Sequence, residues 1–232
     1  MKLSVLGSNS EGNSYILESD SECLILDAGV SIKEVKIALD FNISKIRGVL
    51  VTHNHADHSK YVADYEKMGI PVFKPYEGMT SINLRNTKFR VQTFPLTDKN
   101  NEFVHTNADG TECKCYGYYI KHPELGILVY ATDCTFIKWN FSNVNHLLLE
   151  ANYDMDELDY DETAYLNHVF IGHQSIQTAC DFISRHDGEN LKNVVLCHLS
   201  SSHGKPTEFK DMASKVTNAN VYAAKKGMIA EL

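Results

Sequence analysis

A short segment rich in histidine and aspartate is the first feature of this sequence that could do chemistry. Thr52-His53-Asn54-His55-Ala56-Asp57-His58 places four candidate metal ligands within six residues, directly after an apolar stretch. Two histidines at i and i+2 in an extended turn can point at one ion, while Asp57 and His58, at a helix start, can reach a second. Imidazole together with carboxylate suits Zn²⁺, Mn²⁺ or iron. A polar loop with incidental histidines is a poor alternative for so many such groups at the tip of one buried strand.

Further polar residues end other apolar stretches. Asp133 follows the apolar residues 127–131, His198 follows residues 194–197, and Glu150 ends residues 146–150. A charge buried at a strand end is costly unless it is paired, and a metal ion would resolve it. Asp27 ends the stretch 22–27 in the same way, although an aspartate in that position alone is more often a turn residue.

The elements that must position these residues can be outlined from the apolar pattern. Strands are predicted at 2–6, 15–18, 22–27, 48–52, 72–73, 88–94, 116–121, 127–131, 146–150, 194–197, 221–224 and 228–230. Helices are predicted at 31–39, with Ser31 as N-cap and Glu34 as its partner, and at 57–68, 160–170, 175–185 and 207–216. Residues 7–14 are predicted to form the polar tip of a hairpin and residues 95–115 a long loop. The order predicts an α/β protein, one domain over residues 1–232, with two sheets face to face and helices outside.

Composition limits the classes of function. Lysine and arginine total 22 against 30 aspartates and glutamates, a net charge of −8, which excludes a broad basic surface as the main binding device. A nucleic acid held by metal ions is still possible. The six cysteines form no CxxC pair, and Cys113 and Cys115 are too isolated to suggest a zinc site, so all six are predicted to be reduced, buried thiols. With no leader or membrane segment recognisable, a cytoplasmic location is expected.

These motifs resemble the HxHxDH signature and the later motifs of the metallo-β-lactamase superfamily, over residues 3–205. The resemblance implies an αβ/βα four-layer sandwich of two mixed sheets, and two divalent ions, Zn²⁺ or Mn²⁺. It implies that Asp133 bridges the ions and that Asp27 orients ligands from behind. The other implied ligands are His53, His55 and His105 for one ion and Asp57, His58 and His198 for the second. The third motif of the superfamily often supplies a histidine after a strand that ends in an apolar residue and a proline. Here Thr97, after Phe94-Pro95-Leu96, stands where that histidine is expected, and His105 is predicted to replace it.

Two segments are similar to the YycJ-type (WalJ-like) exonuclease group within that superfamily. One is the Gly/Ser/Asn stretch of residues 6–14, and the other is the combination of Glu150-Ala151 with Gly172-His173-Gln174-Ser175. The second combination also resembles the tRNA 3′-processing endonuclease of the superfamily. The resemblance implies that Asp57, Glu150 and His173 are catalytic. Glu150 would position His173, which protonates the leaving oxygen, and Ser175 at a helix start would help to hold a phosphate.

The predicted function is a phosphodiesterase that hydrolyses nucleic acid, as a DNA exonuclease rather than an RNA-directed enzyme. A hydroxide shared by two ions would attack phosphorus, with His173 as the leaving-group acid. A metallohydrolase of a small molecule, such as a cyclic nucleotide, thioester or lactone, is the alternative on the same ligands. A binding protein with a structural metal is disfavoured because closed structural sites use mostly cysteine. No membrane or protein partner is predicted, and surface positions are expected for the other histidines: His122, His146, His168, His186 and His203.

Overall fold

A sheet of six strands forms from the first part of the chain together with its last strand in the computed structural model, which describes residues 1–107, 109–157 and 172–232. Its strand order is β12-β1-β2-β3-β4-β5. The bounds are β1 (Lys2–Asn9), β2 (Gly12–Glu18), β3 (Cys23–Leu26), β4 (Ile46–Leu50), β5 (Val72–Phe73) and β12 (Ile229–Glu231). Strands β12, β1, β2 and β3 pair antiparallel, whereas β3, β4 and β5 run parallel.

A second sheet of six strands has the order β11-β10-β9-β8-β7-β6. Its strands are β6 (Arg90–Pro95), β7 (Tyr116–His122), β8 (Gly126–Ala131), β9 (His146–Glu150), β10 (Asn193–Cys197) and β11 (Asn220–Ala223). The pairs among β6, β7 and β8 are antiparallel, and β8 to β11 are parallel. Both sheets are therefore mixed, as predicted.

Helices lie on the outer face of each sheet. They are α1 (Ile32–Ala38), α2 (Ala56–Ser59), α3 (Val62–Lys67), α4 (Ile176–His186) and α5 (Pro206–Ser214). The Ser31 side chain accepts a hydrogen bond from the amide of Glu34 and caps α1 as predicted. The single helix predicted at 57–68 is wrong: the Tyr61 amide donates to the carbonyl of Ala28, so the chain breaks into α2 and α3 there. The helix predicted at 160–170 falls outside the described residues.

Three apolar clusters account for the layering. The cluster between the sheets takes alternate residues from facing strands, such as Leu24 and Leu26 of β3 and Val195 and Cys197 of β10. The residues between them in sequence point outward. Ile25 packs in the cluster of α1 and α3, and Val194 and Leu196 pack in the cluster of α4 and α5. Burial on both faces explains the nearly continuous apolar strands, and the resulting four layers confirm the predicted αβ/βα sandwich. Within the described ranges, no helix is long and apolar enough to cross a membrane.

The predicted hairpin tip at residues 7–14 is mostly strand. Strand β1 extends to Asn9 and β2 begins at Gly12, with Ser8 paired to Asn13 across the hairpin. The polar side chains of Ser8 and Asn13 are buried rather than displayed in a loop. They are buried because they form hydrogen bonds with functional residues, Ser8 with the His198 amide and Asn13 with Asp57 and His58.

Candidate metal centre

Polar residues gather where parallel strands of both sheets end. Asp27 follows β3, the segment 52–58 follows β4, and Asp133 follows β8. Glu150 is the last residue of β9, and His198 follows β10. Because the carboxyl ends of parallel strands meet at one edge of a sheet, and the two sheets are stacked, these side chains converge on one place.

One group contains three of the predicted ligands. The ligand atoms of His53, His55 and His105, together with Cys113, lie within 4.8 Å of one another. His105 Nε2 lies 3.1 Å from His55 Nδ1, and the ring centroids of His53 and His55 are 4.7 Å apart. The structure therefore brings His105 beside His53 and His55, although His105 lies outside the usual third-motif position.

A second group lies beside the first. Ligand atoms of Asp57, His58 and His198 also fall within 4.8 Å of one another. Asp133 lies between the groups: its Oδ2 is 3.2 Å from His58 Nε2, and its Oδ1 is 3.8 Å from both His105 Nε2 and His198 Nε2. The arrangement has the geometry expected for an aspartate shared by two ions.

Hydrogen bonds fix which ring nitrogen each histidine presents to the cluster. His58 Nδ1 donates to Asp27 at 2.8 Å, and His105 Nδ1 donates to the Gly172 carbonyl at 3.1 Å. His198 Nδ1 donates to Glu150 Oε1 at 2.8 Å. Since each acceptor lies outside the cluster centre, Nε2 is the nitrogen that each of these three rings presents to the cluster. Nε2 is then the nitrogen that would bind a metal.

Asp27 is held behind the cluster by several donors. Its Oδ1 accepts hydrogen bonds from the backbone amide of Thr52 at 2.8 Å and from the Thr52 hydroxyl at 3.0 Å. Its Oδ2 accepts from the Tyr130 hydroxyl and from His58. Asp27 thus touches a candidate ligand rather than the cluster centre, which is the placement predicted for an orienting residue. The sequence did not indicate that Thr52 or Tyr130 would contact Asp27. Tyr130 is one of twelve tyrosines in the chain and lies in an ordinary apolar strand.

Glu150 is fully buried and uses both carboxylate oxygens. Its Oε1 accepts from His173 Nδ1 at 2.7 Å and from His198 Nδ1, while Oε2 accepts from the amides of Asp133, Cys134 and Gln174. His173 also lies 3.6 Å from Asp133 and keeps 13% of its side chain exposed. The structure therefore brings Glu150 and His173 together at the mouth of the cluster.

Ser175 does not support its predicted phosphate role. It is buried, and its hydroxyl oxygen accepts from the Thr178 amide as the N-cap of α4. The next amide, that of Ile176, donates to the Tyr153 carbonyl. Because the hydroxyl and these two amides are already paired within the protein, Ser175 caps α4, and these groups are not available to a phosphate.

The donor set fits divalent cations. His53 is completely buried, yet its Nε2 has no hydrogen-bond partner among the described residues. A buried polar atom left unpaired costs about 1–3 kcal/mol, and metal coordination would remove that cost. Histidine nitrogens with carboxylate oxygens form the ligand set that Zn²⁺ and Mn²⁺ accept. The four carboxylates of Asp27, Asp57, Asp133 and Glu150 also need positive charge nearby.

The cluster perturbs its own titrating groups. Burial, with repulsion from neighbouring histidines, holds the pKa of His53 well below its usual value and lowers the pKa of His105 to about 4. Burial acts in the same direction on His198, but Asp133, Asp57 and Glu150 outweigh it and raise its pKa to about 10. Burial would raise the pKa of Asp57, yet hydrogen bonds from His198 and His58 lower it. His53 and His105 are thus held in the neutral form that binds a metal, whereas His198 must release a proton when a metal binds.

Two expectations about other residues were wrong. His122 and His146 are buried, not on the surface: His122 Nε2 meets Glu22 at 3.2 Å, and His146 Nε2 donates to the Leu125 carbonyl at 2.9 Å. His186 and His203 are partly exposed, and His168 lies outside the described residues. Cys180, predicted to be buried, is only half-buried, whereas Cys113 is buried as predicted and also lies in the cluster with the three histidines. A hydrogen bond from Cys115, with a further one from His55, lowers the pKa of Cys113 to about 6.

Comparison with known proteins agrees with this geometry. The family model described as the metallo-β-lactamase superfamily matches residues 8–63. The chain is 27% identical over 225 residues to exodeoxyribonuclease YycJ of Bacillus anthracis, covering 86% of this chain and 83% of that protein. It is 25% identical over 235 residues to exodeoxyribonuclease WalJ of Streptococcus pneumoniae, covering 91% and 85%.

The fold has a close match among solved structures. The metallo-β-lactamase fold protein YhfI from Bacillus subtilis superimposes with a TM-score of 0.68 at 17% identity, covering 100% of this chain and 99% of that protein. The two stacked mixed sheets are thus shared architecture. The chain therefore has the metallo-β-lactamase fold, and its residues 8–63 match the family model of that superfamily.

Proposed function

We propose that this protein is a metal-dependent phosphodiesterase that hydrolyses nucleic acid, acting on DNA as an exonuclease. The observation that carries the proposal is the buried Glu150–His173 pair at the edge of a cluster of metal-binding side chains. The names of the two relatives, both exodeoxyribonucleases, support DNA as the polymer. A fold of this kind supports many chemistries, so the substrate is inferred from the site and not from the architecture.

His53, His55 and His105 would hold one divalent ion, and Asp57, His58 and His198 would hold the other, with Asp133 shared. Ions bound there would neutralise phosphate charge and make water acidic enough to be a nucleophile near neutral pH. Without cations the buried carboxylates would repel a phosphodiester. The protein's net charge of −8 makes this local positive charge more important for binding a polyanion.

His173 is suited to protonate the leaving oxygen. A sugar alkoxide is a poor leaving group, so a general acid is worth about 10²–10⁴ in rate. The Nδ1–H of His173 is committed to Glu150, which places the transferable proton on Nε2, the nitrogen pointing away from that carboxylate. The Glu150 charge stabilises the imidazolium until the proton is delivered. His173 and Asp57, with 13% and 20% of their side chains exposed, are accessible to a substrate.

The test is cleavage of 5′-labelled single- and double-stranded DNA and RNA by protein loaded with Mn²⁺ or Zn²⁺, resolved on a sequencing gel. We expect metal-dependent, stepwise shortening of DNA, lost on addition of a chelator and in Asp57→Ala and His55→Ala proteins. Cleavage of RNA alone would correct the polymer, and a single internal cut would correct the mode of action. Protein that binds both ions and cleaves none of the four substrates would contradict the proposal.

The same protein should be offered a thioester and a lactone. These substrates have leaving groups that need little protonation, so a small-molecule hydrolase would process them equally well with and without His173. We expect no turnover of either above the metal ion alone, because the Glu150–His173 pair is adapted to a demanding leaving group. Efficient thioester turnover without DNA cleavage would favour the small-molecule alternative.

A further inference from the structure

Cys113 lies among the three histidines of the first group. Its Sγ and the ligand nitrogens of His53, His55 and His105 all lie within 4.8 Å of one another. The Cys113 amide donates to the His105 carbonyl at 2.8 Å, and Thr106 bridges to Glu112. The backbone pairing that holds this loop together therefore presents a thiol and an imidazole to the same point. Only 1% of Cys113 is exposed.

A second, independent observation points to a ligand in this position. His53 is fully buried, and its Nε2 has no hydrogen-bond partner among the described residues. His105 Nδ1 donates to Gly172, which leaves His105 Nε2 facing the group. The group therefore presents a buried, unpaired nitrogen beside the thiol, and a cation is the ligand that satisfies both.

We propose that Cys113 binds as a thiolate, as a further protein ligand of the ion held by His53, His55 and His105, in addition to the shared Asp133. The proposal rests on the metal dependence proposed above. On binding, the Sγ–H bond breaks, a sulfur–metal bond forms and the proton leaves to solvent, without any redox change. The thiol at present donates to Asn54 Oδ1 at 3.1 Å. A half-turn of the Asn54 amide would instead direct its Nδ2–H at the thiolate, so the charged sulfur also has a donor.

Imidazole nitrogen and thiolate sulfur are both ligands that Zn²⁺ accepts, and an ion surrounded by protein ligands has no position open for water or substrate. The ion in the first group would thus hold the loop of His105 and Cys113 against the segment after β4. The open coordination needed for chemistry would then belong to the ion of Asp57, His58 and His198, where Asp57 keeps 20% of its side chain exposed. This division of roles between the ions is specific to the presence of Cys113.

Cobalt substitution tests the proposal without measuring activity. Co²⁺ bound by histidine and carboxylate gives visible d–d absorption, and a cobalt–thiolate bond adds a charge-transfer band in the near ultraviolet. We expect both in the wild-type protein. In Cys113→Ser the near-ultraviolet band should disappear while the visible bands persist. Cys180→Ser is the matched control, since Cys180 is half-buried on α4, outside the groups, and should leave the spectrum unchanged.

The wild-type spectrum decides the proposal even if Cys113→Ser does not fold. Visible bands without a near-ultraviolet band would show that cobalt binds and that Cys113 is not a ligand, which overturns this inference and leaves the proposed function intact. Absence of both bands would overturn both. A near-ultraviolet band that survives in folded Cys113→Ser would assign the sulfur to another cysteine. In wild-type protein, zinc should also protect Cys113, but not Cys180, from alkylation, as mass spectrometry can measure.

Discussion

Oxygen Oε1 of Glu150 lies 2.7 Å from Nδ1 of His173, and it also accepts a hydrogen bond from Nδ1 of His198 at 2.8 Å. One buried carboxylate oxygen therefore orients two imidazoles with different proposed roles, one as an acid and one as a metal ligand. Backbone amides of Asp133, Cys134 and Gln174 hold the other oxygen. Glu150 therefore keeps its other donors when His173 is replaced. Substitution can then separate the proposed acid role of His173 from the proposed metal-ligand role of His198.

Replacing His173 by alanine should remove the acid and spare the metal centre. We expect kcat for DNA to fall about 10²–10⁴-fold, because the leaving oxygen must depart unprotonated. Bis(p-nitrophenyl) phosphate, whose leaving group needs no proton, should be affected far less. Metal content, measured by elemental analysis, should match that of the wild type. His186→Ala, at the far end of α4, is the control. Equal losses on both substrates would argue against an acid role.

Glu150→Gln should damage both functions at once. The amide cannot accept from two imidazoles and three backbone amides as the carboxylate does, so His173 and His198 should both lose their orientation. Loss of such an outer partner typically weakens metal binding about 10–100-fold. We therefore expect weaker binding, measured by competition with a zinc chelator, in addition to slower cleavage. Glu124→Gln, at an exposed glutamate after β7, should change neither. Unchanged metal affinity would show that His198 does not depend on Glu150.

Gly172→Ala tests the placement of His105. A Cβ at Gly172 would lie 2.7 Å from His105 Nδ1, closer than real contacts allow, so the imidazole must move. We expect weakened binding of one metal equivalent, detected by calorimetric titration, and a smaller effect on the other. Gly188→Ala is a matched control, since a Cβ there meets no atom within 4 Å. Two intact binding steps in Gly172→Ala would mean that His105 is not a ligand.

The residues that the sequence located correctly are those at the ends of apolar strands. Asp27, Asp133 and His198 each follow a buried strand, and parallel pairing alone brings such ends to one edge. Local pattern and a simple topological rule were sufficient there. The HxHxDH segment was located for the same reason, since one strand and one turn position all of its side chains.

The residues that were missed depend on contacts distant along the chain. Cys113 joins the cluster because its loop lies against Asn54, 59 residues earlier, to which its thiol donates. His122 is buried because Glu22, a hundred residues earlier, accepts from it. Asn13 is buried against His58 for a similar reason. In each case a polar residue has an ordinary local sequence, and only the three-dimensional partner decides whether it is exposed. Such partners leave no periodic signal.

A last prediction concerns stability against pH at a site remote from the metal centre. Glu18 at the end of β2 lies 2.9 Å from Lys2 and from Lys45. Burial would raise the pKa of Glu18, but the two lysines outweigh it and hold the pKa below its ordinary value of 4.5. Because the folded-state pKa is depressed, the ionised carboxylate stabilises the fold fully above the unfolded-state pKa, and that stabilisation is lost as pH falls through the folded-state pKa.

Glu18→Gln should therefore lower the free energy of unfolding at pH 7 by roughly 1 kcal/mol, and the difference from wild type should shrink below about pH 4.5. Urea unfolding of both proteins at several values between pH 7 and pH 3 measures this difference in the free energy of unfolding. Taking the difference between the two proteins cancels the titration of the metal cluster, which they share. Glu11→Gln, at the exposed turn between β1 and β2, should show little difference at any pH. A Glu18→Gln deficit that stays constant down to pH 3 would indicate that packing, rather than ion pairing with Lys2 and Lys45, accounts for the loss.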